Sequence, residues 1–202
     1  MCRGCALGNY TKNDFSSSDR RSAGTLDLIH SDLCRPMSFV SLRGYEYYVT
    51  FIDDHSRKTW IYFLKSKKSG EVLQRFRDFK AFVENQTWRK IRVLRLDNGG
   101  EYTSKEFDGF CRQEGIRGQL TVMYTPEHNG VAERKNMSIF GSARAMLHDQ
   151  SLPFFLYLEA CSTAIYLQNR SPHREVGNMT PEEFFSGKNP EVGHFWIFGS
   201  LT

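Results

Sequence analysis

The 202-residue sequence predicts a mixed α/β domain, an antiparallel β-meander followed by parallel strands added through crossover helices. Three observations carry that expectation. Strand-like runs come first and in close succession. Helix-periodic runs come later, and between residues 69 and 124 the two kinds alternate.

The elements follow in order. Residues 1–24 are polar and punctuated by Gly8-Asn9, Ser16-Ser17-Ser18 and Ser22-Ala23-Gly24, so they are expected to be a tail and linker before a core spanning 25–202. Residues 26–33, 45–52 and 59–64 are predicted strands, the last two being aromatic and β-branched. The polar Asp53-Asp54-His55-Ser56-Arg57 between them predicts a hairpin turn. In 69–85, Val72, Leu73, Phe76, Phe79 and Val83 recur at helical spacing. A fourth strand, 91–96, stops at Asp97-Asn98-Gly99-Gly100, where Gly permits a sharp turn. A short helix over 107–114 ends at Gly115, and a fifth strand is expected over 120–124. Long helices are expected over 131–150 and 153–169, then a short one opened by Thr180 as cap and Pro181 at its first position.

Composition excludes several classes. With 16 Phe, 9 Tyr and 3 Trp the chain has ample core material and is not a disordered segment. No apolar run approaches the roughly 18 residues of a membrane span. Met1-Cys2-Arg3-Gly4-Cys5 has no apolar stretch behind it and does not read as a secretory signal. Five cysteines without a regular framework point to a reducing, intracellular setting; Cys34, Cys111 and Cys161 are expected in or near the core. Trp60, Trp88 and Trp196 are likewise expected to be packing residues. The net charge of +4 is uneven: residues 55–95 hold twelve Lys/Arg against three acids, which leaves the remainder acidic overall. A basic face of that kind suits a polyanion, and equally a solvated surface.

Three acids stand where chemistry is possible. Asp32 closes the first predicted strand and Asp97 the fourth. If those strands are neighbours and parallel, both carboxylates emerge at the carboxyl edge of the sheet, where α/β sheets bind ligands. Glu133 falls in the first turn of the long helix, about 100° from the apolar stripe of Ala132, Ile139, Ala143, Met146 and Leu147, and is expected to skirt that edge. Converging carboxylates require cations, and hard oxygen donors suit Mg²⁺ or Mn²⁺. Two such ions about 4 Å apart can clamp an in-line phosphoryl transfer. Taken one at a time, each acid could equally be a turn or cap residue.

Short blocks along the chain decide the matter. His30-Ser31-Asp32-Leu33, Thr50-Phe51-Ile52-Asp53-Asp54-His55-Ser56-Arg57, Leu96-Asp97-Asn98-Gly99-Gly100-Glu101-Tyr102 and Tyr124-Thr125-Pro126 resemble the integrase core of copia-type LTR retrotransposons. So do Asn129-Gly130-Val131-Ala132-Glu133-Arg134-Lys135-Asn136, Ala143-Arg144-Ala145-Met146-Leu147 and Tyr166-Leu167-Gln168-Asn169-Arg170. The 35 residues between Asp97 and Glu133 match the D,D-35-E spacing of that superfamily. The resemblance implies a ribonuclease-H-like fold, a five-stranded mixed sheet flanked by helices. It makes Asp32, Asp97 and Glu133 the catalytic, Mg²⁺-binding triad. The implied reaction is polynucleotidyl transfer, in which a 3′-hydroxyl of element DNA attacks a phosphodiester of target DNA with two ions bound.

Further expectations come from the same resemblance. DNA contacts are assigned to Lys65, Lys67 and Lys68 after the third strand, to His128 and Asn129 in the loop before the catalytic helix, and to Arg134 and Lys135, of which at most one can face DNA. Cys2 and Cys5 form C-x2-C, half of a zinc site whose two histidines would lie upstream of Met1, so no stable structural zinc is expected. Both element ends and target DNA are the implied partners, with a homo-oligomer as the active form and no membrane association. A cytoplasmic virus-like particle and then the nucleus are the implied locations. Three departures from the family pattern bear on DNA affinity: Glu127-His128 in place of Gln-Gln, Met137 where a basic residue is common, and Gly141 within the helix, which costs about 1 kcal/mol relative to Ala. They leave open a catalytically inactive, domesticated nucleic-acid-binding module. A ribonuclease-H-type hydrolase is a further alternative.

Overall fold

The computed structural model describes residues 21–34, 40–97, 99–100, 102, 104–120 and 130–200. Five strands, β1 (Leu28–Leu33), β2 (Tyr47–Asp53), β3 (Thr59–Leu64), β4 (Val93–Leu96) and β5 (Arg117–Leu120), form one sheet in the order β3-β2-β1-β4-β5. β1–β2 and β2–β3 pair antiparallel; β1–β4 and β4–β5 pair parallel. This is the mixed five-stranded sheet that the sequence predicts.

The helices are α1 (Ser69–Thr87), α2 (Lys105–Gln113), α3 (Gly130–Asp149), α4 (Tyr157–Asn169) and α5 (Pro181–Ser186). They cover both faces of the sheet because strand side chains alternate in direction. On one face Ile29, Val49, Phe51 and Leu94 meet Phe76, Phe79 and Phe107 from α1 and α2, with Phe51 stacked on Phe79 at 4.4 Å. On the other, Tyr48 and Cys34 meet Ile139, Ala143 and Leu147 of α3 and Ala160, Cys161 and Ala164 of α4. Cys34, Cys111 and Cys161 are all buried thiols, as expected for core residues.

Some boundaries differ from the sequence expectation. The fifth strand begins at Arg117, ahead of the expected residue 120, because the parallel register with β4 pairs Val93 with Arg117 and Leu96 with Leu120; residues 121–124 of the expected strand lie outside the described residues. The stretch 153–169 divides into a 3₁₀ turn, Phe154–Leu156, and α4 proper. Ser104 caps α2, accepting from the Phe107 amide, and thereby moves its start upstream of 107. Residues 21–24, expected in the linker, lie against the β2–β3 turn: the Ser22 amide donates to Asp54 Oδ2 at 2.6 Å and its carbonyl bonds His55 Nδ1 at 2.8 Å. Trp60 packs against Phe79 and Phe185, but Trp88 (93% exposed) and Trp196 (81%) are not packing residues. Trp88 sits at the left-handed turn that ends α1, which lifts its ring off the core.

Candidate active site

The parallel pairing of β1 with β4 sets the site. Leu28 pairs with Val93, Ile29 with Leu94 and His30 with Arg95, so extending the register two residues brings Asp32 beside Asp97 at the carboxyl edge. The Gly99 amide donates to Asp97 Oδ1 at 3.3 Å, a local turn that aims the Asp97 carboxylate. From α3, packed over the same sheet face, comes Glu133. Its side chain is exposed rather than skirting the edge, since it lies well round from the stripe buried by Ala132, Ile139 and Ala143.

The electrostatics tie the three together. The Asp32 carboxyl is pushed up to about 6, first by burial, then by the like charge of Asp97 and, more weakly, of Glu133. Opposing this, Asn136 Nδ2 donates to Asp32 Oδ2 at 2.6 Å. Asn136 is itself buried and takes a long contact, 3.5 Å, from the Tyr48 hydroxyl. At neutral pH and without a counter-ion, Asp32 is therefore less completely ionised than an ordinary aspartate. Among the described residues no three His, Cys, Asp or Glu side chains form a ready-made metal cage. Asp32 and Asp97, side by side, offer hard oxygens of the kind that suits a divalent ion, and a cation there would relieve the repulsion that raises Asp32.

The sequence singles out the three acids but misses Asn136. The signal was present: on the helical wheel Asn136 falls inside the apolar stripe, and a polar residue there needs a buried partner. Lys65, Lys67 and Lys68 are exposed and follow β3 at the same sheet edge as Asp32, two strands away. Arg134 is exposed and Lys135 half-buried; both turn towards the flank of α3 remote from Glu133. Burial, then the nearby Arg57, lowers the Lys135 ammonium to about 8. His128, Asn129, Cys2 and Cys5 lie outside the described residues.

The mixed sheet thus sets Asp32 and Asp97 side by side at one carboxyl edge. Residues 24–126 match the integrase core domain family, and the chain belongs to that family. It is 46% identical over 198 residues to the retrovirus-related Pol polyprotein from transposon TNT 1-94 of Nicotiana tabacum, covering 98% of this chain and 15% of that polyprotein. With the corresponding polyprotein of transposon RE2 from Arabidopsis thaliana it shares 34% identity over 198 residues, 98% of this chain and 13% of the relative. The chain thus spans a small part of the relatives it matches.

Solved structures show the same fold. A simian T-cell lymphotropic virus intasome, in complex with PP2A regulatory subunit B56 gamma, superposes with TM-score 0.70 at 19% identity over 100% of this chain and 69% of that one. The HTLV-2 integrase catalytic core domain, solved with magnesium in a trimeric form, superposes with TM-score 0.61 at 20% identity over 82% of this chain and 99% of its own.

Proposed function

We propose that this chain is the catalytic core of a retrotransposon integrase, joining the 3′ ends of element DNA to target DNA by transesterification. The observation that supports the reading is the placement of Asp32 beside Asp97 at one sheet edge, where the Asp32 carboxyl is raised by the like charges of Asp97 and, more weakly, Glu133. Bound by these three carboxylates, two Mg²⁺ or Mn²⁺ ions would supply charge neutralisation at the attacking and leaving oxygens.

The rest of the chemistry belongs to the protein's own groups. Asn136 holds the Asp32 carboxylate in one orientation, and the Gly99 amide does the same for Asp97. Glu133, exposed at the start of α3, stands where an incoming phosphodiester could reach it. Lys65, Lys67 and Lys68 supply phosphate contacts at the same edge, giving affinity and salt dependence without sequence choice. The acting form would contain more than one copy bound to element and target DNA; the magnesium-bound trimeric core and the intasome among its structural neighbours support that reading. Its place of action would be a cytoplasmic particle and then the nucleus.

A disintegration assay tests the reading. Branched DNA mimicking the strand-transfer product is incubated with Mg²⁺ or Mn²⁺ and the chain, beside Glu133→Gln. Resealed target strand from the wild type alone is expected. Cleaved but unjoined strands would instead identify a hydrolase of ribonuclease-H type. DNA binding with no product and no divalent-ion binding would identify a non-catalytic module.

A further inference from the structure

Asp32 and Asp97 are connected a second time, on the face of the sheet that their own carboxylates do not use. Asp32 faces α3, where Asn136 reaches it, so its neighbour Ser31 points to the opposite face. There the Ser31 hydroxyl lies 3.0 Å from the Tyr102 hydroxyl, and both residues are buried. Tyr102 belongs to the turn after β4, a few residues beyond Asp97.

Tyr102 is tied to Asp97 as well as to β1. Its amide donates to the Gly99 carbonyl at 3.1 Å, and the Gly99 amide donates to Asp97 Oδ1 at 3.3 Å. Three bonds therefore lead from the Ser31 hydroxyl, through Tyr102 and Gly99, to the Asp97 carboxylate. Ser31 precedes Asp32 directly, so this relay links the backbone of one aspartate to the side chain of the other.

Two forces act on the turn that the relay crosses. Gly99 and Gly100 give its backbone wide conformational freedom, so a contact from outside must fix it. Asp97 and Asp32 also repel each other, which works to part them while no cation lies between. Packing alone would not require the phenol oxygen. The Tyr102 ring stands edge-on to Phe107 at 5.6 Å within the apolar cluster under the sheet, and Phe would fill the same space. A hydroxyl buried there is costly unless it is hydrogen-bonded, and Ser31 supplies that bond.

We propose that Tyr102 is a positioning residue, its hydroxyl holding the Asp97 turn against Ser31 and so fixing the separation of the two aspartates for a divalent ion. The inference deepens the integrase reading and rests on its ion site. Tyr102 itself touches neither ion nor DNA in this role.

The test is calorimetric titration of the full chain with Mn²⁺, for wild type, Tyr102→Phe, Ser31→Ala and the double variant. Affinity should fall about 10-fold in each single variant, as for other groups that orient a ligand. The double variant should bind no more weakly than the singles, because all three lose the same bond. In EDTA, exchange of the Gly99 amide should quicken in Tyr102→Phe. Val83→Ala, a core truncation in α1, should lower the melting temperature and leave Mn²⁺ affinity unchanged. Wild-type affinity in folded Tyr102→Phe, or a double variant that loses the product of the two single effects, would overturn the proposal. Wild type that binds Mn²⁺ with the expected pattern but joins no strands would remove the integrase reading and leave the positioning role standing. Wild type that binds no Mn²⁺ would overturn both.

Discussion

The two ends of β1 and β2 each hold a pair of aspartates in opposite electrostatic situations. At the hairpin end, Asp54 accepts from His30 Nε2 at 2.9 Å, from Arg57 at 2.8 Å and from the Ser22 amide, and these partners hold its carboxyl well below the usual range. Its neighbour Asp53, raised by burial, still takes bonds from the Leu26 amide and from both the amide and hydroxyl of Ser56. At the other end Asp32 has Asn136 as its side-chain donor and two further acids for company. Carboxylates that staple a fold are surrounded by donors, whereas carboxylates kept for a cation are surrounded by one another.

The largest effect expected from breaking this contrast is on catalysis. Glu133→Gln keeps the shape but removes a metal-ligating charge. Strand joining should fall by 10³-fold or more, about 4 kcal/mol of transition-state stabilisation, while the melting temperature holds. Asp54→Ala should do the reverse. It strands the buried His30 and leaves Arg57 with only Glu175, so unfolding should need about 3 kcal/mol less, measured by urea titration. Activity per folded molecule should change little.

Smaller effects sharpen the comparison. Asn136→Ala removes the bond that counters Asp32's repulsion, so Mg²⁺ affinity or turnover should drop 10- to 100-fold, as for other groups that orient a ligand. Asp32→Asn should raise the stability of the metal-free protein by about 1–2 kcal/mol at pH 7.5, after discounting for partial exposure. The sign follows from linkage. Asp32 holds its proton more tightly folded than unfolded, so its contribution is fully present below its ordinary value of 3.8 and is lost as pH rises through about 6. Melting curves of wild type and Asp32→Asn should therefore converge in acid and diverge between pH 4 and 7.

Much of this was legible beforehand, for identifiable reasons. Aromatic and β-branched runs marked β2 and β3, and helical spacing of Phe76, Phe79 and Val83 marked α1, because both bury an apolar face. The adjacency of Asp32 and Asp97 was conditional on β1 and β4 being parallel neighbours, a condition that the observed pairing meets. The start of β5 was missed because Arg-Gly-Gln-Leu is a polar, largely exposed edge segment, whose position is set by pairing with β4 and not by its own pattern. The structural duty of Asp53 and Asp54 was hidden, since polar turn residues read alike whether solvated or buried. Arg134 and Lys135 carried a charge signal, but only the packing of α4 and the following segment against α3 shows that both line a cavity.

The convergence of the acids is tested most directly by following the Asp32 carboxyl with carbon-13 NMR across a pH titration, with and without Mg²⁺. A midpoint near 6 is expected in the metal-free wild type, falling in Asp97→Asn as a like charge is removed and falling further when Mg²⁺ binds the wild type. A midpoint near 4, indifferent to Asp97 and to Mg²⁺, would contradict the account.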